Sequence, residues 1–177
     1  MVNRCGFFTE DGLLCRKVVQ IPWDKGFDKA AKQEYIRRVQ VELGSEMQPC
    51  IDVTTASPIH EAKMLSPFYI KTDFQEMILE DYWAYLKKQH PEITTIEGSF
   101  DYLYLNHLTQ KQKEYVLGIK CFVDVFHEPY KAFNTQAKSL AIYQLLVSEG
   151  KEDYLSNFSQ FTQWYSLKCN KRYVKDV

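Results

Sequence analysis

The sequence predicts an α+β fold: a mainly α-helical single domain with a small N-terminal β-sheet. Three observations point there. An Asp11-Gly12 turn pair stands between two strand-like runs near the N-terminus. Beyond it, apolar residues recur at helical spacing in one segment after another. No repeat, low-complexity stretch or linker divides the 177 residues, a length that suits one domain with its own core.

The elements follow in order. Phe7 to Glu10 and Leu13 to Ile21 read as hairpin strands, with Cys15 opposite Phe8 rather than Cys5, which argues against a disulfide there. Pro22 ends the second strand. Asp28 caps a helix through Leu43, with Ile36, Val39 and Leu43 on one face and Gly44 as the stop. Cys50 to Thr55 alternates like a short strand, broken by Ser57-Pro58. Thr72-x-x-Gln75 reads as a capping box opening a helix with Phe74, Ile78, Tyr82 and Tyr85 along one side, closed by Pro91. Ser99 starts another, striped by Phe100, Leu103, Tyr104, His107 and Leu108. Thr109-x-x-Gln112 is a second capping box, whose helix carries Val116, Ile119, Val123 and Phe126 inward and ends before Pro129. Asn134 or Thr135 caps the next, with Ala137, Leu140, Ala141 and Leu145 facing the core and Gly150 as the stop. A last helix runs from about Asp153 with Tyr154, Phe158, Phe161 and Tyr165 periodic, and the tail 168–177 is expected to fray.

Composition excludes several classes. A net charge of −1 provides no bulk attraction to nucleic acid or anionic membrane, so any nucleic-acid contact must be local. No run approaches the ~18 apolar residues of a membrane span, and the N-terminus lacks a signal-peptide pattern. Five widely spaced cysteines without a C-x-x-C fit a reducing cytoplasm. The histidines show no metal-ligand spacing, so neither metal nor cofactor is expected. There is no nucleophile elbow and no glycine-rich phosphate loop. A diphosphate would rest on helix amino ends, such as those expected at Thr72, Ser99 and Asn134. Aromatics form 15% of the chain, mostly as core, with a ring-stacking pocket as the sharper reading.

One resemblance narrows this. Leu65-Ser66-Pro67-Phe68, followed by Phe74-Gln75, resembles the loop that begins the ligand pocket of NADAR (NAD- and ADP-ribose-associated) domains. Trp23-Asp24-Lys25-Gly26-Phe27, Ile51 to Ser57, Phe100 to Asn106, Phe122 to Phe126 and Asn134 to Tyr143 are similar, in the same order, to segments of the NADAR antitoxins encoded beside DarT-type toxins. The similarity spans residues 14–150 and is most specific from Asn134 to Tyr143.

The resemblance implies a NADAR-like fold and an ADP-ribose-binding protein of the DarT-associated antitoxin type. DarT enzymes attach ADP-ribose from NAD to bases in single-stranded DNA, and their NADAR partners resemble glycohydrolases that remove it. The implied partners are ADP-ribose or ADP-ribosylated single-stranded DNA, and a protein toxin. By carry-over, Leu65, Ser66 and Phe68 line the pocket, and Gln75, Asn134, Gln136 and Ser139 support it. A capping-box role explains Gln75 equally well, and a plain helix cap explains Asn134.

Cleaving an N-glycosidic bond calls for a group that stabilises an oxocarbenium-like centre and activates water, work suited to a carboxylate. The family pattern has a glutamate four residues before the Gln and a lysine three after it; these positions are Lys71 and Ile78. Two readings therefore stand. Asp73, Glu76 or Glu80 is a replacement carboxylate in an active hydrolase, or the chain is an inactive NADAR-like interaction module that binds a toxin or another protein.

Overall fold

The computed structural model describes residues 1–22, 28–126, 135–170, 172 and 174–177. Strands β1 (Val2–Glu10) and β2 (Leu13–Ile21) form the expected hairpin, with Phe8 opposite Cys15. Asp11 and Gly12 both take positive φ, 52° and 71°, as a type I′ turn requires. Helix α1 (Lys29–Leu43) begins where the Asp28 carboxylate accepts the Ala31 N–H at 2.8 Å. Its buried stripe is Tyr35, Ile36, Val39 and Leu43, and Gly44 ends it at φ 102°. Strand β3 (Cys50–Asp52) is shorter than the Cys50–Thr55 alternation suggested, because the Asp52 side chain bonds the Thr54 N–H and turns the chain.

After the single turn of α2 (His60–Lys63) comes a correction. Helix α3 spans Leu79–Gln89 and does not start at Thr72. A bridge between Lys71 and Ile78 closes a turn in which the Thr72 N–H and hydroxyl both donate to the Met77 carbonyl, at 2.9 and 3.1 Å. That turn uses the Thr72 hydroxyl, so it caps no helix, and Gln75 and Glu76 sit at φ 52° and 56°. The buried face of α3 is Leu79 and Trp83. Phe74, Tyr82 and Tyr85 instead make a partly exposed ring stack, with Phe74 5.0 Å from Tyr82 and 5.2 Å from Tyr85 between centroids.

Pro91 opens the short α4 (Pro91–Thr94), and α5 (Ser99–Asn106) buries Phe100, Asp101, Tyr104 and Leu105. Helix α6 (Gln110–Leu117) has the complete Thr109–Gln112 capping box but stops at Gly118. Cys121, Phe122 and Val123, expected in that helix, are strand β4 (Cys121–Val123). All three are buried, and a short apolar run fits helix or strand alike. Pairing with β1 (antiparallel) and β3 (parallel) decides it.

Helix α7 (Gln136–Ser148) follows, with Thr135 at its N-cap position; Asn134 lies outside the described residues. The last helix, α8 (Phe158–Lys168), starts later than expected. Asn157 caps it by accepting the Gln160 N–H at 3.1 Å, after a 3-10 turn over Glu152–Ser156. The tail expected to fray supplies β5 (Lys175–Asp176), parallel to β2 and held by a two-pronged Arg16–Asp176 pair at 2.7 and 2.9 Å.

The sheet runs β3-β4-β1-β2-β5. Its strands alternate inward between two cores. Phe8, Cys15, Cys50, Cys121 and Val123 pack with the stripe of α1 on one face. Phe7, Leu14, Ile51 and Phe122 pack with α7 on the other, and α5 and α8 enclose α7 further. Cover on both faces accounts for the unbroken apolar run of β4, Cys121–Val123. Among the described residues, no helix is long and apolar enough to cross a membrane.

Candidate functional site

Three chain segments meet where β3 and β4 end. Asp52, 1% exposed, accepts the Thr54 N–H (3.2 Å), the Thr54 hydroxyl (2.5 Å) and the Val125 N–H (3.2 Å). One carboxylate thus joins the loop after β3 to the loop after β4. Burial pushes its carboxyl up to about 7; the Thr54 hydroxyl bond opposes this, and the nearby Asp124 charge adds to it. Asp124 is shaped by two bonds of its own: Oδ1 accepts the Phe126 N–H at 3.1 Å and Oδ2 accepts the Thr135 hydroxyl at 3.2 Å.

The third segment is the Leu65–Ile70 loop. Tyr104 donates its hydroxyl to the Leu65 carbonyl at 2.6 Å, anchoring the loop to α5. The Ser66 carbonyl accepts the Tyr69 N–H at 2.9 Å, and Leu79 and Glu80 donate backbone N–H groups to Ile70 and Pro67 at 2.8 and 3.3 Å. The loop is thereby fastened to the amino end of α3, and Glu80 is placed beside it. An acidic side chain suits that helix end.

These segments enclose a cleft of about 180 Å³ lined by Thr54, Thr55, Ser66, Pro67, Phe68, Glu80, Asp124, Phe126 and Gln136. Gln136 reaches it from the first turn of α7, with its amide donating to the Val53 carbonyl at 3.5 Å. Phe68 and Phe126 are 55% and 46% exposed beside the cleft they line. Thr55 also lines a second cavity of about 480 Å³, with Lys29, Lys32, Ser57, His60 and Lys63 among its walls.

Of the residues singled out from the sequence, Ser66, Phe68, Glu80 and Gln136 come together here. Leu65 is fully buried and contributes its carbonyl to the Tyr104 bond rather than a surface to the cleft. Asp73, Gln75 and Glu76 are exposed on the 72–77 turn and are not among the residues lining the cleft. Ser139 is sealed inside, donating to Asp101 Oδ1 at 2.7 Å and to the Thr135 carbonyl at 3.2 Å. Lys138, with 0% exposure, lies beside them, 3.8 Å from Asp101 Oδ2 and hydrogen-bonded to the Tyr165 hydroxyl. Burial lowers the Lys138 pKa, and the Asp101 charge opposes the shift. Asn134 and the Trp23–Phe27 segment fall outside the described residues.

The family model of DarT1-associated NADAR antitoxins matches residues 81–174, more than half of the chain. The chain belongs to that family. No curated protein matches it. The part matched to the DarT1-associated NADAR antitoxins contributes Asp124, Phe126 and Gln136 to the cleft, along with the buried Asp101–Lys138 pair. Ser66, Phe68 and Glu80 stand just upstream of it. The sequence reading missed Asp124 and Thr54. Asp124 had one local signal, its place directly after the apolar run Cys121–Val123, where a strand end puts side chains at a sheet's edge.

Proposed function

We propose that this antitoxin-family chain binds ADP-ribose in the cleft between the Ser66–Phe68 loop and the first turn of α7, and hydrolyses the N-glycosidic bond between ADP-ribose and a DNA base. What carries the reading is the convergence of two carboxylates, Glu80 and Asp124, with two exposed rings in one open cleft. The Thr55 hydroxyl and the Gln136 amide are suited to ribose hydroxyls, while Ser66, 1% exposed, shapes the loop by accepting the Phe68 N–H at 3.5 Å. Phe68 and Phe126 are suited to stacking on a base or on the apolar face of the sugar. One carboxylate stabilises positive charge developing at the anomeric carbon as its bond to the base nitrogen breaks, while the other takes a proton from the attacking water and returns it to the departing base.

Glu80 is the replacement carboxylate in this reading. Lys71, where the family pattern has glutamate, is exposed at the base of the 72–77 turn and does not line the cleft. Its charge therefore does not bear directly on the reacting carbon. Membership of a DarT1-associated family makes a DarT-type toxin the natural partner, whose modification this chain reverses. Five free, buried cysteines suit a reducing cytoplasm.

The test is calorimetric titration with ADP-ribose, followed by incubation with ADP-ribosylated single-stranded DNA and mass spectrometry of the products. Binding together with release of free ADP-ribose is expected. Binding without release assigns the chain to the non-catalytic interaction module, and absence of both removes ADP-ribose as its ligand.

A further inference from the structure

We propose that the cavity between the first turns of α1 and the Thr55–Lys63 segment is a subsite for the diphosphate of a nucleoside diphosphate sugar whose distal ribose occupies the cleft. The proposal rests on the reading of the cleft given above.

The wall chemistry selects an anion. Lys29, Lys32 and Lys63 line the cavity together with His60, and among the described residues no acidic side chain lines it. None of the three lysines has an ion-pair partner among the described residues. In a chain of net charge −1, three cations without an acidic partner among the described residues, Lys63 resting 5.2 Å over the Tyr69 ring, make this hollow a local concentration of positive potential.

A second observation is independent of charge. Ser57 also lines the cavity; it is 7% exposed, and its buried Oγ has no hydrogen-bond partner. A buried hydroxyl left unpaired costs about 1–3 kcal/mol, so such atoms are rare unless a ligand or water completes them. A phosphate oxygen accepts from Ser57 Oγ–H while the ammonium groups neutralise its charge.

Size and placement choose the kind of phosphate. A pocket for a ligand of drug size is about 300–1,000 Å³. The cleft, at about 180 Å³, is too small for a nucleotide sugar, whereas the cavity adds about 480 Å³ directly across Thr55, which lines both. A ribose in the cleft therefore has its diphosphate and nucleoside directed past Thr55 toward the lysines. A DNA phosphodiester offers the same chemistry, but the sheltered Ser57 hydroxyl suits a compact diphosphate better than a strand lying along the surface.

Three ligands separate the cases: ADP, ADP-ribose and an unmodified single-stranded oligonucleotide, each titrated by calorimetry. ADP, which lacks the distal ribose, is expected to bind, more weakly as salt rises. Lys32→Gln with Lys63→Gln is expected to weaken ADP and ADP-ribose by the same factor, about tenfold or more. Ser57→Ala is expected to leave the melting temperature unchanged or raised while weakening ADP about fivefold. Since both lysines are only partly buried, circular dichroism confirms folding, and the salt dependence of the unaltered protein is a second readout.

ADP-ribose binding that ignores the lysine and serine substitutions overturns the subsite and leaves the cleft reading standing. ADP binding that responds to them, with ADP-ribose no tighter than ADP, supports the subsite and removes the cleft reading. An oligonucleotide that binds through these lysines when ADP does not overturns the diphosphate assignment in favour of the DNA backbone.

Discussion

Two groups of polar side chains flank α7 and have opposite fates. At its amino end, Glu80, Asp124 and Gln136 surround an open cleft with exposed rings beside them. Further along, Asp101, Lys138, Ser139 and Tyr165 are closed off between α5, α7 and α8, each no more than 1% exposed. The residue types are similar, and both groups draw on the segment that matches the family. Solvent access is what separates the group proposed to meet ligand from the one that holds helices together. A charged residue within a family-like run is therefore no guide to its role until its burial is known.

Predictions that sharpen this contrast begin with the sealed group. Lys138→Met leaves Asp101 buried without its cation, with Oδ2 already lacking a hydrogen-bond partner. A loss of about 3–5 kcal/mol in urea unfolding is expected, most of it recovered by adding Asp101→Leu. A loss below about 1 kcal/mol would break the contrast, since the pair would then behave as a solvated one.

Asp52 is buried like the sealed group yet bonds the loops after β3 and β4 that line the cleft. Burial pushes its carboxyl up to about 7 in the folded chain from the ordinary 3.8. The folded state holds that proton more tightly, so this contribution to stability is full below the ordinary value and is lost as pH rises through about 7. The unaltered protein should lose a few kcal/mol relative to Asp52→Asn across that window, read from unfolding at several pH values. A constant difference between the two would show that Asp52 is charged in the fold throughout.

For the open group, Glu80→Gln should slow ADP-ribose release about 100-fold, with little change in ADP-ribose affinity or melting temperature. Full turnover would clear Glu80 of an acid–base role and leave Asp124 as the carboxylate to test. The smallest effect is expected at the rim. Phe68→Ala should weaken ADP-ribose binding by about 1 kcal/mol without destabilising the fold, because the ring is 55% exposed. Unaltered affinity in the folded variant removes the ring from the site.

Much of the fold was legible because its signals are local. The Asp11-Gly12 hairpin, the Asp28 cap, the Gly44 stop and the Thr109–Gln112 box each act within a few residues, and each is present. Thr72-x-x-Gln75 has the same letters as a capping box and forms none, because the Lys71–Ile78 bridge engages its groups first. The Leu-Ser-x-Phe loop directed attention to Ser66 and Phe68, and Glu80 was weighed beside Asp73 and Glu76 without grounds to choose. The geometry separates them: Glu80 lines the cleft, while the other two carboxylates are exposed on the turn.

The sequence by itself determined where turns, caps and amphipathic faces occur, since those depend on dihedral preferences and on hydrogen bonds between near neighbours. It also carried the family likeness. Only the tertiary structure decided that Cys121–Val123 is a strand, that Lys175–Asp176 closes the sheet's edge, and that Asp124 lines one cleft with Glu80 while Ser139 bonds Asp101. Each depends on a partner distant in the chain, and the free energy that fixes it comes from ladder pairing and from water excluded between surfaces that no short segment contains.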